Sequence, residues 1–365
     1  VSTGSPVPPP YLPPPNWQNQ PAGGYLPQPI FYPVPPSGSG WGFTKAIFTT
    51  LAVSILGFSL TLNVYLLAVS GLWGGSDSAG VVEEVIRSGT TDVVAIIPVE
   101  GLITGTSADD LEKILTTLRS NPHIKAVVLE IDSPGGEVTA SDEMYQRLVA
   151  FKQQTGLPLI VSMKGLAASG GYYIACAGDY LLAQRTTTTG SIGVMWGSIN
   201  VSKLMEKYGV EDTTIVSSGS KYKLAGSPTR EFTPEMRQYI QNFVDDHLSL
   251  FKSVIVSGRN LKPESVDQLA NGQIFSGIEA IKLKLIDQIG FLEDAIAVAE
   301  ARAGISGAKV VKYQKQIPFW EALTGTAQSN RIEMSIGPAR VGIDQDVLNR
   351  FLSPRPMFLF QQQPE

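Results

Sequence analysis

The sequence predicts an α/β domain built on a mainly parallel sheet with crossover helices. From about residue 92, apolar runs of strand length alternate with stretches of helical periodicity. The first run, Val93-Val94-Ala95-Ile96-Ile97, has no polar alternation and reads as a strand buried on both faces. Several runs end in glycine-bearing turns that lead into helices.

The chain reaches this region through two other segments. Residues Val1 to Gly40 hold 13 of the 25 prolines and no charged side chain. Runs such as Pro8-Pro9-Pro10 favour extended polyproline II and cannot build a core, so residues 1–44 read as a disordered arm. Between Lys45 and Asp77 there is no charge. Residues 45–75 include LAVSILGFSLTLNVYLLAV, long enough at about 1.5 Å per residue to span the roughly 30 Å hydrocarbon layer. Trp41 and Trp73 sit near its ends, where amphipathic rings favour the interface. A cleaved signal peptide is the rival reading. The length of the span and of the uncharged arm before it favours a retained single-pass anchor in the lipid bilayer. Lys45, the one basic residue before the span, places the N-terminus in the cytoplasm and the bulk of the chain outside.

Within the α/β region, Ser107 and Asp110 make a capping-box-like start to a helix with Leu111, Ile114, Leu115 and Leu118 on one face. Ile124 to Ile131 is the next strand, ending at Asp132-Ser133-Pro134-Gly135-Gly136. A helix from about Glu137 to Lys152 follows, then a strand from Leu157 to Met163. Thr233 to Val256 reads as a longer helix with Thr233 as N-cap and Pro234 in its first turn. The domain is expected to span residues 90–305, with an irregular extension over 306–365 that ends in the apolar Met357 to Phe360. That tail either packs as a loose end or lies, product-like, in a neighbouring molecule's groove.

Composition narrows the chemistry. A net charge of −5 gives no broad basic surface, so no nucleic-acid partner is expected. A lone cysteine, Cys176, cannot form an internal disulfide. There are two histidines. His123 lies at a helix-to-strand turn and His247 in a helix beside Asp245 and Asp246, and both read as structural.

Three glycine-bearing segments follow strands. Ser133-Pro134-Gly135-Gly136 lets backbone N–H groups turn towards a ligand, as an oxyanion hole requires, although it also reads as an ordinary turn. Ala167-Ala168-Ser169-Gly170-Gly171 places Ser169 at the start of a helix, as a nucleophile or as a simple cap. Thr189-Gly190-Ser191-Ile192-Gly193 is the third. A serine nucleophile needs a base. With histidine scarce, Lys221 and Lys223 of SGSKYKLAGSP are the candidates, since burial can make a lysine neutral at working pH.

The stretches DSPGGEV, KGLAASGGYYIACAGD, TTTTGSIGV and SGSKYKLAGSP occur in this order, followed by NGQIFSGIEAIKLKLIDQIG. Together they resemble the signal peptide peptidase A family of membrane-bound serine–lysine peptidases. The resemblance implies a Clp-protease/crotonase-like fold with repeated ββα-type units, preceded by one transmembrane helix. It implies Ser169 as nucleophile, Lys223 as general base with Lys221 as the alternative, and Ser191 as the residue orienting the lysine. The N–H groups of Gly136 and Gly170 match the oxyanion hole. Neutral Lys223 would take the Ser169 proton, an acyl-enzyme would form, and water would release it. The resemblance further implies hydrophobic peptide substrates such as remnant signal peptides, a homo-oligomeric ring, an extracytoplasmic catalytic part, and no metal or cofactor. A crotonase-like acyl-CoA enzyme and an inactive membrane scaffold of the same fold are the competing readings.

Overall fold

The computed structural model describes residues 41–73, 80–315, 331–336, 339–344 and 356–359, within two compact units, Val1–Gly75 and Ser76–Glu365. The Pro-rich arm up to residue 40 lies outside the described residues. In the first unit, α1 (Trp41–Trp73) is one continuous helix of 33 residues. Its Lys45–Asn63 stretch is long and apolar enough to cross a membrane, and none of it is buried by protein. Phe48, Leu56 and Phe58 stand out from it exposed, surface that water would disfavour and hydrocarbon would not.

The second unit begins with β1 (Val81–Arg87), β2 (Val93–Glu100), α2 (Gly105–Ser120), β3 (Ile124–Ser133), β4 (Gly135–Glu137), α3 (Val138–Thr155) and β5 (Leu159–Ala168). Next come α4 (Gly170–Ala175), β6 (Tyr180–Ala183), β7 (Thr188–Gly190), β8 (Met195–Trp196), α5 (Ser202–Lys207) and α6 (Pro234–Arg259). Then follow α7 (Pro263–Leu269), β9 (Ile274–Ser276), α8 (Gly277–Lys282), β10 (Gln288–Ile289), α9 (Leu292–Ala303) and β11 (Lys309–Lys315). A hairpin of β12 (Arg331–Ile336) and β13 (Ala339–Asp344) precedes β14 (Pro356–Leu359).

The main sheet runs β1-β11-β2-β3-β5-β6-β10, with β7 paired to β5 and β9 to β7. From β11 to β10 its neighbours are parallel, and the edge strand β1 runs antiparallel to β11. Both faces are covered, which explains the unbroken apolar runs. Ala95, Ile97 and Val99 join a core with Leu115 of α2, Met144 of α3, Tyr172 of α4 and Phe251 of α6. Val94 and Ile96 point the other way, onto Ala295, Ile296 and Ala299 of α9.

Most predicted elements form where the periodicity puts them, with shifts at their ends. β5 runs on to Ala168, five residues past the expected Met163, because β7 pairs with Leu166, Ala167 and Ala168. At α2 the cap moves upstream. Thr104 is the N-cap, and Ser107 Oγ accepts the Thr104 N–H at 3.2 Å, so Ser107 returns the bond rather than starting the helix. Thr233 caps α6 as expected, accepting the Met236 N–H at 3.3 Å. The expectation of an irregular chain after residue 306 does not hold for Lys309–Lys315. β11 lies inside the sheet, with Val310 and Val311 buried between β1 and β2. β14 is not irregular either: it forms a small three-stranded sheet between β4 and β8.

Candidate active site

The three glycine-bearing segments converge at the carboxyl ends of β3, β5 and β7, the end of a parallel sheet where ligands bind. Register brings them together. Ser133 pairs with Ala167 across β3 and β5, and Ala168 pairs with Gly190 across β5 and β7. Ser169 and Ser191 are therefore the next residues on adjacent strand ends. Both take the left-handed backbone that side chains rarely adopt, with φ of 53° and 49°. The Ser169 N–H donates to Gly190 O at 2.8 Å, and the Ser191 N–H donates to Gln273 O at 2.7 Å. Backbone strain held by surrounding structure in this way marks functional positions.

Ser169 precedes α4 but does not cap it through its side chain. Its Oγ is buried, with the residue 1% exposed, and has no hydrogen-bond partner. A buried hydroxyl normally finds a partner, and leaving one unpaired costs about 1–3 kcal/mol. The simple-cap reading therefore has no support in the geometry, and the oxygen is uncommitted.

Two glycine backbones meet next to Ser169, which Gly170 follows in the chain. A Cβ added to Gly170 would lie 2.5 Å from Ser141 Oγ and 3.1 Å from the Gly136 nitrogen, so the Gly136 and Gly170 backbones are in close contact. A Cβ on Gly136 would lie 1.9 Å from Ile103 O. No side chain fits at either position. The strand geometry also sets the direction of the Gly136 amide. Gly135 O accepts from the Ile103 N–H and Glu137 N–H donates to Ile103 O, both at 2.9 Å. Alternation along β4 turns the N–H and C=O of Gly136 to the opposite side, towards β14.

The scaffold beneath is hydrogen-bonded in detail. Ser133 Oγ donates to Gly101 O at 2.6 Å and accepts the Gly135 N–H at 3.1 Å, which shapes the Pro-Gly-Gly turn. Thr189 Oγ1 donates to Ala167 O at 2.6 Å and clamps β7 to β5 behind the serine. Tyr172 OH donates to Leu285 O and Tyr173 OH to Asp142 Oδ1, each at 2.8 Å, anchoring α4. Ser133, Thr189 and the tyrosines all lie inside the motifs quoted above, but nothing in the sequence says which atoms they hold.

The lysines stand apart from the serine. No lysine hydrogen-bonds Ser169 Oγ. Lys221 is 63% exposed and pairs with Glu235 at 2.6 Å. The Glu235 hydrogen bond holds its ammonium above the usual lysine range, which is the wrong direction for a base. Lys223 is exposed in the turn-rich segment after Ser217, its N–H donating to Ser220 O at 3.0 Å, and its ammonium has no ion-pair partner among the described residues. The histidines are no alternative. His123 is exposed, and the His247 ring bonds Phe243 O at 2.6 Å on the exposed side of α6. Burial pushes the Cys176 thiol up to about 12, so it stays protonated and unreactive.

The chain is similar in sequence to known proteins. Residues 151–306 match the family described as Peptidase family S49, and residues 89–191 match that described as Clp protease. An Enterococcus faecium protein bearing the name signal peptide peptidase SppA is 30% identical over 82% of this chain and 89% of its own length. The chain belongs to peptidase family S49. A protease of Synechocystis sp. is 36% identical to it, over 61% of this chain and 79% of that protein. Protease 4 of Salmonella typhi is 32% identical over 66% of this chain but only 38% of that protein. Among solved structures, a membrane-bound stomatin-specific protease 1510-N with a substrate peptide aligns at a TM-score of 0.39 and 19% identity, over 65% of this chain and 97% of that one. Membership of S49 makes the chain a serine peptidase of the SppA and protease 4 type on a Clp-protease-like fold. The acyl-CoA and scaffold readings fall away.

Proposed function

We propose that this S49 peptidase is a membrane-anchored endopeptidase that cleaves hydrophobic peptides with Ser169 as nucleophile and Lys223 as base. The observation that carries the reading is the buried, unbonded Ser169 Oγ on a strained turn, beside the facing backbones of Gly136 and Gly170. An attacked carbonyl would place its developing oxyanion between those two amides. Ser191, at the neighbouring strand end, is the residue proposed to orient the lysine.

Of the two lysines, Lys221 is held charged by Glu235, which leaves Lys223, with no ion-pair partner among the described residues, as the proposed base. A lysine becomes a base near neutral pH when it leaves water. Peptide binding and self-association are the two events proposed to cover the exposed segment that carries Lys223. Self-association has surface to work with. Leu204, Tyr208, Val210 and Ile215 near this segment are all exposed, Ile215 at 94%. The detergent-solubilised chain is expected to run in light scattering as a discrete multiple of its 39.2 kDa mass, and a strictly monomeric active species would rule out the assembly.

A cavity of about 490 Å³ beside β8 is lined by apolar Val194, Trp196, Phe232 and Ile240 together with polar Asn200, Arg237 and Gln241. The proposed anchor and the positive-inside bias of Lys45 put the catalytic unit outside the cytoplasm. External protease added to intact cells is expected to digest an epitope placed in the catalytic unit. Digestion only after cell lysis would reverse the topology. The activity itself is tested by incubating the purified full chain with a signal-type apolar peptide, with Ser169→Ala as the control.

A further inference from the structure

The cavity beside β8 is lined by none of the proposed catalytic residues. One wall is the chain through β8, with Val194 and Trp196 two residues apart. Another is α6, whose Arg237, Ile240 and Val244 recur at the spacing of one helix face. Gly226 closes in on both walls. A Cβ there would lie 3.3 Å from Trp196 Nε1 and 3.2 Å from Ile240 Cδ1, and the turn has a left-handed φ of 79°, so the position suits glycine.

The polar groups of this cavity are unbalanced in charge. Among the described residues its lining includes no aspartate or glutamate. Arg237 makes no ion pair or hydrogen bond with any described residue, and its guanidinium lies over the Phe232 ring, 4.9 Å from the centroid. An arginine stacked on an aromatic ring keeps its fork of N–H donors available for a carboxylate. Trp196 Nε1, which can only donate, is buried and has no hydrogen-bond partner among the described residues. Asn200 and Gln241, also in the lining, spend amide N–H groups on Arg230 O and Asp245 Oδ1. An apolar cavity whose uncommitted groups are a guanidinium and an indole N–H suits an anion carried on an apolar body.

We propose that this cavity binds the free C-terminal carboxylate of an apolar peptide, with Arg237 as its anchor. Peptide hydrolysis makes such an end at every turnover, so the activity of the S49 family supplies the ligand. Val194, Ile240 and Val244 take the apolar side chains, and Trp196 Nε1 offers a further donor to the peptide's oxygens. The site is a holding place for the acyl-side product, and no bond is made or broken there.

Binding is measured by isothermal titration of full-length Ser169→Ala in detergent. The probe is an N-acetylated tetrapeptide of leucine and valine with a free carboxylate, and its C-terminal amide is the control. The acid is expected to bind at least about tenfold more tightly than the amide, as a charge-assisted pair with arginine allows. Arg237→Met should erase that difference and leave the thermal midpoint unchanged, because the guanidinium holds no other described residue by a hydrogen bond or ion pair. Equal binding of acid and amide overturns the proposal, and so does a preference for the acid that survives Arg237→Met. Tighter binding of decanoate than of the peptide acid would give the cavity to fatty acids and overturn it as well. Binding alone is read, so none of these outcomes turns on which serine is the nucleophile.

Discussion

Ser169→Ala is expected to lower kcat/KM on an apolar fluorogenic peptide by about 10⁴-fold or more, the loss seen when a serine nucleophile is removed. The fold should survive the change intact. Ser169 Oγ makes no hydrogen bond, so the substitution breaks none, and it removes a buried hydroxyl that lacks a partner. The thermal midpoint should therefore be unchanged or higher. That combination separates a nucleophile from a structural cap, whose loss costs roughly 1 kcal/mol of stability and little activity. Residual cleavage above about one per cent of wild type, far more than a lost nucleophile allows, would mean another group attacks the substrate.

The second large effect concerns the lysines, two residues apart in one loop. Lys223→Ala is expected to reduce turnover by at least about 10³-fold, because an unassisted serine hydroxyl is a weak nucleophile at neutral pH. Lys221→Ala should keep most of the activity, since its ammonium is committed to Glu235 and lies on the surface. The sign of the pH dependence follows from the same chemistry. A lysine base works only when deprotonated, so activity should climb as pH rises. The Glu235 bond raises the Lys221 pKa and keeps that side chain protonated through the neutral range. Paired kcat–pH profiles of the two variants decide between them. A dead Lys221→Ala beside an active Lys223→Ala would transfer the role.

Much of the fold was legible because its signals are local. A strand buried on both faces announces itself as an unbroken apolar run, as β2 does. Thr233 and Pro234 mark the start of α6 by capping chemistry alone. The site was legible as three glycine-framed segments, and register places them side by side at the ends of β3, β5 and β7. What the sequence hid depends on distant pairing. Val310 and Val311 sit in a run too short and too charged at its ends to reveal a central strand, and β11 is recruited by β1 and β2 from more than 200 residues away. Met357 and Phe358 showed only as apolar. Their place between β4 and β8 follows from an open sheet edge that no local pattern encodes.

One experiment bears on the nucleophile with no reference to any substrate. The purified chain is treated with a fluorophosphonate and digested, and the modified peptide is mapped by tandem mass spectrometry. The adduct is predicted on Ser169 Oγ alone, absent from Ser169→Ala and strongly slowed in Lys223→Ala. A phosphonylated Ser191 or Ser133 with Ser169 left bare would contradict it.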